Sequence, residues 1–203
     1  VERDYMYSYL SYSGYKRGEQ VMKGYWNAVE RHGVEPNPYR GGFLQLIAVA
    51  ETDAEAERIY MPHIRYFYDK CLHIAPQFAE APGYRTIKTL EAGLSSQFTP
   101  VASSQRTELR WEDYINDGYI VAGSPSTVRD QLKDVISRLN VGHLMVLLHF
   151  GDMPREKALQ NTELFAKQVM PHLRDINSEW EDKWYPKPLD PKARTLPVGP
   201  VAT

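Results

Sequence analysis

The chain alternates short apolar runs with amphipathic stretches, and this alternation constrains its fold more than any other feature. The apolar runs are Tyr5–Leu10, Phe43–Ala50 and Leu144–Phe150. Each is followed by apolar residues that recur at helical spacing, and a further helical stretch precedes the third run. Strand–helix alternation with right-handed crossovers predicts a parallel α/β sheet.

The middle run, Phe43–Ala50, is apolar at nearly every position, which is typical of a parallel strand covered on both faces. Thr52 and Glu55 follow it with the spacing of a capping box, so a helix is expected to begin there. Ser124 and Pro125 predict a second helix start, with serine as the cap and proline at the first helical position.

The number of strands bears on how large the sheet is. Three strands cannot close a barrel, and three parallel strands alone would expose two unpaired edges. The sequence therefore favours a larger sheet, with further strands N-terminal to Val1, over a small open α/β domain. The absence of an initiator methionine favours the same interpretation.

Two segments depart from the alternation. Residues 73–110 form a long polar connection, which predicts either a functional lid or a disordered loop inserted in a partial domain of residues 1–175. Residues 176–203 are rich in proline and are expected to form an extended arm. Its tryptophans, Trp180 and Trp184, suggest docking on its own domain or on a partner, and a disordered end is the alternative.

Composition excludes several classes of protein. The net charge is −2 and no Lys/Arg run is present, so a nucleic-acid partner is not expected. No apolar stretch approaches the roughly 20 residues of a membrane span. The single cysteine, Cys71, excludes an intramolecular disulfide and predicts a buried thiol in a reducing cytoplasm. His63 and His73 have no carboxylate at ligand spacing, so no metal site is predicted.

Four stretches, in order, resemble the bacterial luciferase-like flavin-dependent monooxygenases. They match the family's penultimate strand with its helix cap, its glycine–Ser/Thr–Pro helix entry, its last barrel strand and its closing helix. The resemblance implies the C-terminal part, about strands 6–8, of a (β/α)8 TIM barrel, with a long insertion after strand 7 and a C-terminal arm. In chain order the matching stretches are Ala48–Ala56, Gly118–Val128, Val141–Leu148 and Leu164–Leu173.

The resemblance implies a monooxygenase that uses reduced FMN, supplied by a separate flavin reductase, and O2 to oxygenate a small organic substrate. A deazaflavin-dependent oxidoreductase of the same fold and a non-catalytic flavin-binding or assembly subunit are the alternatives. The family's phosphate-binding segment and most of its flavin contacts lie on earlier strands. This part alone is therefore expected to be inactive, and to need the N-terminal half of the barrel or to form a homo-oligomer.

In such barrels the chemistry lies at the C-terminal ends of the strands. His149 follows the last strand, where an imidazole would orient substrate or donate a proton, unless it is bonded within the core. Ser11, Tyr12 and Ser13 end the first strand and would hydrogen-bond substrate or ribityl hydroxyls, unless they form an ordinary turn. Ser124 would bind an anion at its helix N-terminus or simply cap that helix.

Five further residues complete the predicted pocket. Phe150 would shape an apolar wall or fill core, and Gly151 would permit a tight turn or close approach of a cofactor. Arg106 and Arg110 would close over an anionic group, with surface charge as the alternative. Trp111 would cap the pocket.

Overall fold

The computed structural model describes residues 1–10, 14–71, 87 and 109–184. Strands and helices alternate along the described chain, with a short extra helix ahead of the third strand. The elements are β1 (Tyr7–Leu10), α1 (Tyr15–Arg31), β2 (Gly41–Val49), α2 (Asp53–Tyr66), α3 (Trp111–Asn116), β3 (Val121–Gly123), α4 (Pro125–Leu139), β4 (His143–Leu147) and α5 (Arg155–Leu164).

All pairings in the sheet are parallel, and β2 takes part in each of them. β1 and β4 pair with overlapping stretches of β2, so they lie on its two opposite edges. The three strands expected from the sequence are therefore neighbours in the order β1–β2–β4, which confirms the parallel α/β prediction.

A fourth strand, β3, was not predicted. Its three residues pair with the last three of β2, in the register Ile47↔Val121 to Val49↔Gly123. The sequence interpretation treated this stretch only as the entry to the next helix. Three residues are too few to show a period of two, so the pattern carried no signal for the strand.

Both faces of β2 are buried, as its apolar run indicated. Phe43, Ile47 and Val49 contribute to a core with α1, α4 and α5. Leu46 and Ala48 contribute to a second core with α2 and α3. A closed barrel carries its helices on the outer face only. The described residues thus have the layers of an open sheet, and barrel closure and the strand numbers 6–8 stay predictions.

Each outer strand is flanked by an apolar cavity near its N-terminal end. A cavity of about 610 Å³ lies beside β1, where Tyr5 and Met6 are exposed. A cavity of about 240 Å³ lies beside β4 and is lined by Leu144 and Val146 of that strand. Among the described residues neither strand has a second partner, so both edges of the sheet are open beside apolar surface.

Residues 177–184 pack on the N-terminal side of the sheet. The Asn37 side-chain amide donates to the Glu181 carbonyl at 2.9 Å, and the Trp184 indole N–H donates to the Asp4 carbonyl at 3.1 Å. The Arg40 guanidinium pairs with the Asp4 carboxylate and lies 4.8 Å from the centroid of the Trp184 ring. The first part of the predicted arm therefore docks on its own domain, and residues 185–203 lie outside the described residues.

Two further expectations concern residues outside the sheet. Cys71 is exposed, contrary to the prediction of a buried thiol, because it ends the π-helical turn that follows α2, away from the core. Apart from Ile87, Leu109 and Arg110, the predicted insertion 73–110 lies outside the described residues. In the part of the chain that the structure describes, no helix has the length and apolar character of a membrane span.

Candidate functional site

The C-terminal ends of β2, β3 and β4 meet at one edge of the sheet, where parallel α/β folds place their sites. Ser124 follows β3, and His149, Phe150 and Gly151 follow β4, so the fold brings these predicted residues to one edge. Four predicted site residues, Ser11, Tyr12, Ser13 and Arg106, lie outside the described residues.

Ser124 caps α4, and the anion at this helix terminus is the carboxylate of Asp53. The Ser124 backbone N–H donates to Asp53 Oδ1 at 2.6 Å, and the Thr127 hydroxyl donates to Asp53 Oδ2 at 3.1 Å. The hydrogen bond from the Ser124 backbone is the main cause that lowers the pKa of Asp53. This helix N-terminus therefore already has a carboxylate partner.

Gly123 permits this contact between α2 and α4. Its φ is +144°, and a Cβ there would lie 2.5 Å from Asp53 Oδ1 and 2.9 Å from a side-chain carbon of Thr127. A larger residue would displace the carboxylate from the helix terminus. The glycine in the Gly-Ser-Pro helix entry is thus explained by the approach of Asp53.

The turn after β4 places His149 at the surface. The strand ends at Leu147, and the exposed imidazole lies with Nε2 3.0 Å from the Met153 carbonyl. His149 is therefore at the predicted edge of the sheet, bonded to its own turn and not within the core. This contact ties one of its two ring nitrogens to the backbone.

Phe150 and Gly151 have structural roles in this turn. Phe150 is 3% exposed and packs against the Tyr60 and Phe67 rings, so it fills the core on the α2 face. Gly151 has a φ of +63°, and a Cβ there would lie 2.3 Å from the His63 carbonyl oxygen. The tight turn expected at Gly151 is present, and its close approach is to the backbone of α2.

The same close approach brings together a histidine and an aspartate that sequence reasoning did not pair. His63 Nδ1 lies 2.7 Å from Asp152 Oδ1. The side chain of His63 is 17% exposed and that of Asp152 is 52% exposed. The hydrogen bond from His63 is the main cause that lowers the pKa of Asp152. Among the described residues, no cluster of three or more His, Cys, Asp or Glu side chains is arranged to hold a metal ion.

Arg110 and Trp111 lie at the start of α3. The Arg110 guanidinium pairs with Asp113 one turn later, and both charges are at the surface. The pair lowers the pKa of Asp113. Trp111 is half-buried and packs against the aromatic core on the α2 face. In the described residues the Arg110 charge is already paired, and Trp111 contributes to the core.

Asn161 of α5 was also missed, and it fixes the edge of the sheet beside these turns. The residue is fully buried. Its side-chain oxygen accepts from the Val49 N–H at 2.7 Å, and its amide donates to the Ile47 and Leu148 carbonyls at 2.8 Å each. The β2–β4 pairing ends at Leu46↔Leu147. Beyond that pair, the Asn161 side chain supplies the hydrogen bonds that join the two segments.

Aromatic and imidazole side chains lie together at this edge. Phe150 packs on its aromatic neighbours beneath the turn, His149 is exposed and His63 is mostly buried. The helix terminus at Ser124 is occupied by Asp53 and is therefore not free to receive a phosphate.

Comparison with known proteins identifies the fold. No family model matches the chain, and no curated protein sequence matches it. A solved structure of monooxygenase RslO1 from Streptomyces bottropensis matches with a TM-score of 0.51 at 16% identity, covering 81% of this chain and 41% of that one.

A second solved structure is the oxygenating constituent of 3,6-diketocamphane monooxygenase, a type II Baeyer-Villiger monooxygenase from the CAM plasmid of Pseudomonas putida, in complex with FMN. It matches with a TM-score of 0.55 at 24% identity, covering 84% of this chain and 43% of that one. The chain thus spans about two fifths of the length of these two structures. At this identity the likeness shows a shared parallel α/β fold.

Proposed function

We propose that the chain forms the C-terminal part of a luciferase-like flavin-dependent monooxygenase, which uses reduced FMN and O2 to oxygenate a small organic substrate. The observation that carries the proposal is the fold likeness, over 84% of the chain, to an oxygenating constituent that was solved with FMN. The order of the resembling stretches in the sequence supports the same function.

In this proposal the chain supplies one wall of the site. The flavin, when bound, provides the electrons that reduce O2. The turn after β4 provides Phe150 and His149, and α2 provides His63 beside that turn. Asp53 occupies the α4 terminus, so other anions do not bind there. Phosphate binding is assigned to parts of the protein beyond the described residues, and a separate reductase supplies reduced FMN.

The two open sheet edges are proposed to pack against further strand–helix units from the rest of the protein. The support is the apolar surface beside each edge: Tyr5 and Met6 are exposed beside the first, and the half-buried Leu144 and Val146 line the cavity beside the second. Unpaired edges next to apolar cavities are covered in stable proteins. A second copy of this chain is the other candidate for covering them.

The function is tested by mixing the full-length protein that contains this chain anaerobically with photoreduced FMN and then adding ¹⁸O2 and a panel of ketones and aldehydes. We expect a product that carries one ¹⁸O atom and appears only when protein, reduced FMN and substrate are all present. Oxidation of FMN at the rate of the free cofactor, with no product, would contradict a monooxygenase. Oxygen-independent reduction of a substrate by a reduced deazaflavin would favour the deazaflavin alternative instead.

A further inference from the structure

We propose that His63, oriented by Asp152, is the proton-transfer group of this site. The inference rests on the proposed function, because it assigns a role within the same catalytic edge. It moves that role from His149, which the sequence pattern had favoured, to a histidine on α2.

The first support is the way the pair is built. Asp152 lies in the turn that follows β4, and His63 lies in the helix that follows β2, the neighbouring strand. Gly151 lets the turn approach α2 so closely that a Cβ would lie 2.3 Å from the His63 carbonyl. The backbone of two elements therefore holds the carboxylate 2.7 Å from Nδ1.

The second support is what this contact does to the imidazole. A carboxylate at Nδ1 favours the tautomer with its proton on Nδ1, which leaves a lone pair on Nε2. The same carboxylate stabilises the imidazolium that forms when Nε2 takes a proton. The low pKa of Asp152 means that this carboxylate is charged at neutral pH.

The third support is the environment of the two histidines. The His63 side chain is mostly buried, and Phe67 follows it by one helical turn and packs on Phe150. Such surroundings weaken solvent screening and strengthen the His63–Asp152 interaction. Among the described residues Asp152 is the charged partner of this imidazole. His149 is exposed and has Nε2 at the Met153 carbonyl, and the part of the chain that the structure describes places no charged group on its ring.

The proposed step is a simple proton transfer. Nε2 of His63 forms an N–H bond while an O–H or C–H bond of the bound substrate breaks, and the electron pair stays on the substrate. Asp152 keeps its charge and remains bonded to Nδ1–H. The proton returns from Nε2 to the product or to water, so the imidazole is neutral again at the end of the cycle.

The inference is tested with H63Q and D152N, with H172Q as the control for an exposed histidine outside the site. H63Q is expected to lower kcat by about 100-fold with little change in KM. D152N is expected to lower kcat by about 10-fold with little change in KM, since the imidazole stays in position but the carboxylate no longer fixes its tautomer. H172Q is expected to leave kcat and KM unchanged.

Two measurements do not depend on turnover. ¹⁵N NMR of the wild type is expected to show the proton of neutral His63 on Nδ1, and D152N is expected to lose this preference. Carbon NMR of Asp152 is expected to show its pKa rising in H63A toward the ordinary aspartate value. A tautomer that does not respond to D152N would mean that Asp152 does not position the ring.

The outcomes separate this inference from the proposed function. Product formation in the wild type with unchanged kcat in H63Q, or with a larger loss in H149Q than in H63Q, would overturn the role of His63 alone. No product in the wild type would overturn the monooxygenase and the proton-transfer role together, whatever the NMR measurements show about the pair.

Discussion

Replacing Asn161 with alanine is expected to lower the free energy of unfolding by about 3 kcal/mol. The substitution removes three hydrogen bonds of 2.7–2.8 Å from a fully buried side chain. It leaves the Val49 N–H and two carbonyls, of Ile47 and Leu148, without partners in the core. For a chain of this length the Tm is expected to fall by roughly 10 °C.

The matched control is Q160A, one residue earlier on the same helix, where the side chain has one long contact, 3.4 Å from Lys157 Nζ. We expect Q160A to change stability by less than about 0.5 kcal/mol. N161D separates donor from acceptor, since the aspartate keeps an oxygen for Val49 but cannot donate when ionised. Urea unfolding followed by circular dichroism measures all three, and equal stability of N161A and Q160A would show that Asn161 does not join the strands.

Replacing Asp53 with alanine is expected to cost about 1 kcal/mol, or about 2–4 °C in Tm. The carboxylate satisfies the Ser124 N–H and the Thr127 hydroxyl at the start of α4, and it is also the first residue of α2. The estimate is modest because Asp53 is exposed and solvent screens its charge. The control is E57Q, an exposed acid one turn later on α2.

The pH dependence of the Asp53 contribution follows from its lowered pKa. The folded protein holds this carboxylate ionised at lower pH than the unfolded chain does. Its stabilisation is therefore complete above the unfolded value of about 3.9 and is lost as the pH falls through the folded pKa. The difference in Tm between wild type and D53N should be full at neutral pH and shrink in acid. A difference that is constant from neutral to acidic pH would contradict the charge–helix interaction.

The parts of the fold that the sequence predicted are those with a local signal. The apolar run of β2 predicted a strand buried on both faces, and the structure places a separate core on each side of it. The Thr52 and Ser124 caps form as expected, with their side chains accepting from Glu55 and Thr127. β3 had no such signal, because three residues define no period.

The contacts that build the site could not be predicted in the same way, because they join distant parts of the chain. His63 and Asp152 are 89 residues apart, and Asn161 bonds to β2 residues more than 100 positions away. A search for a carboxylate at ligand spacing along the sequence therefore missed Asp152. Glycines were the available signal, since Gly123 and Gly151 each mark a place where two segments approach too closely for a side chain.

The most direct test of the central claim, that flavin binds at the C-terminal edge of the sheet, is hydrogen–deuterium exchange of the full-length protein that contains this chain, with and without saturating FMN. We expect slower exchange in peptides that contain residues 50–53 and 148–153, where β2 and β4 end. Peptides from the opposite edge, which line the cavities beside β1 and β4, are expected to be unchanged. Protection confined to that opposite edge, or no protection anywhere, would contradict the proposed site.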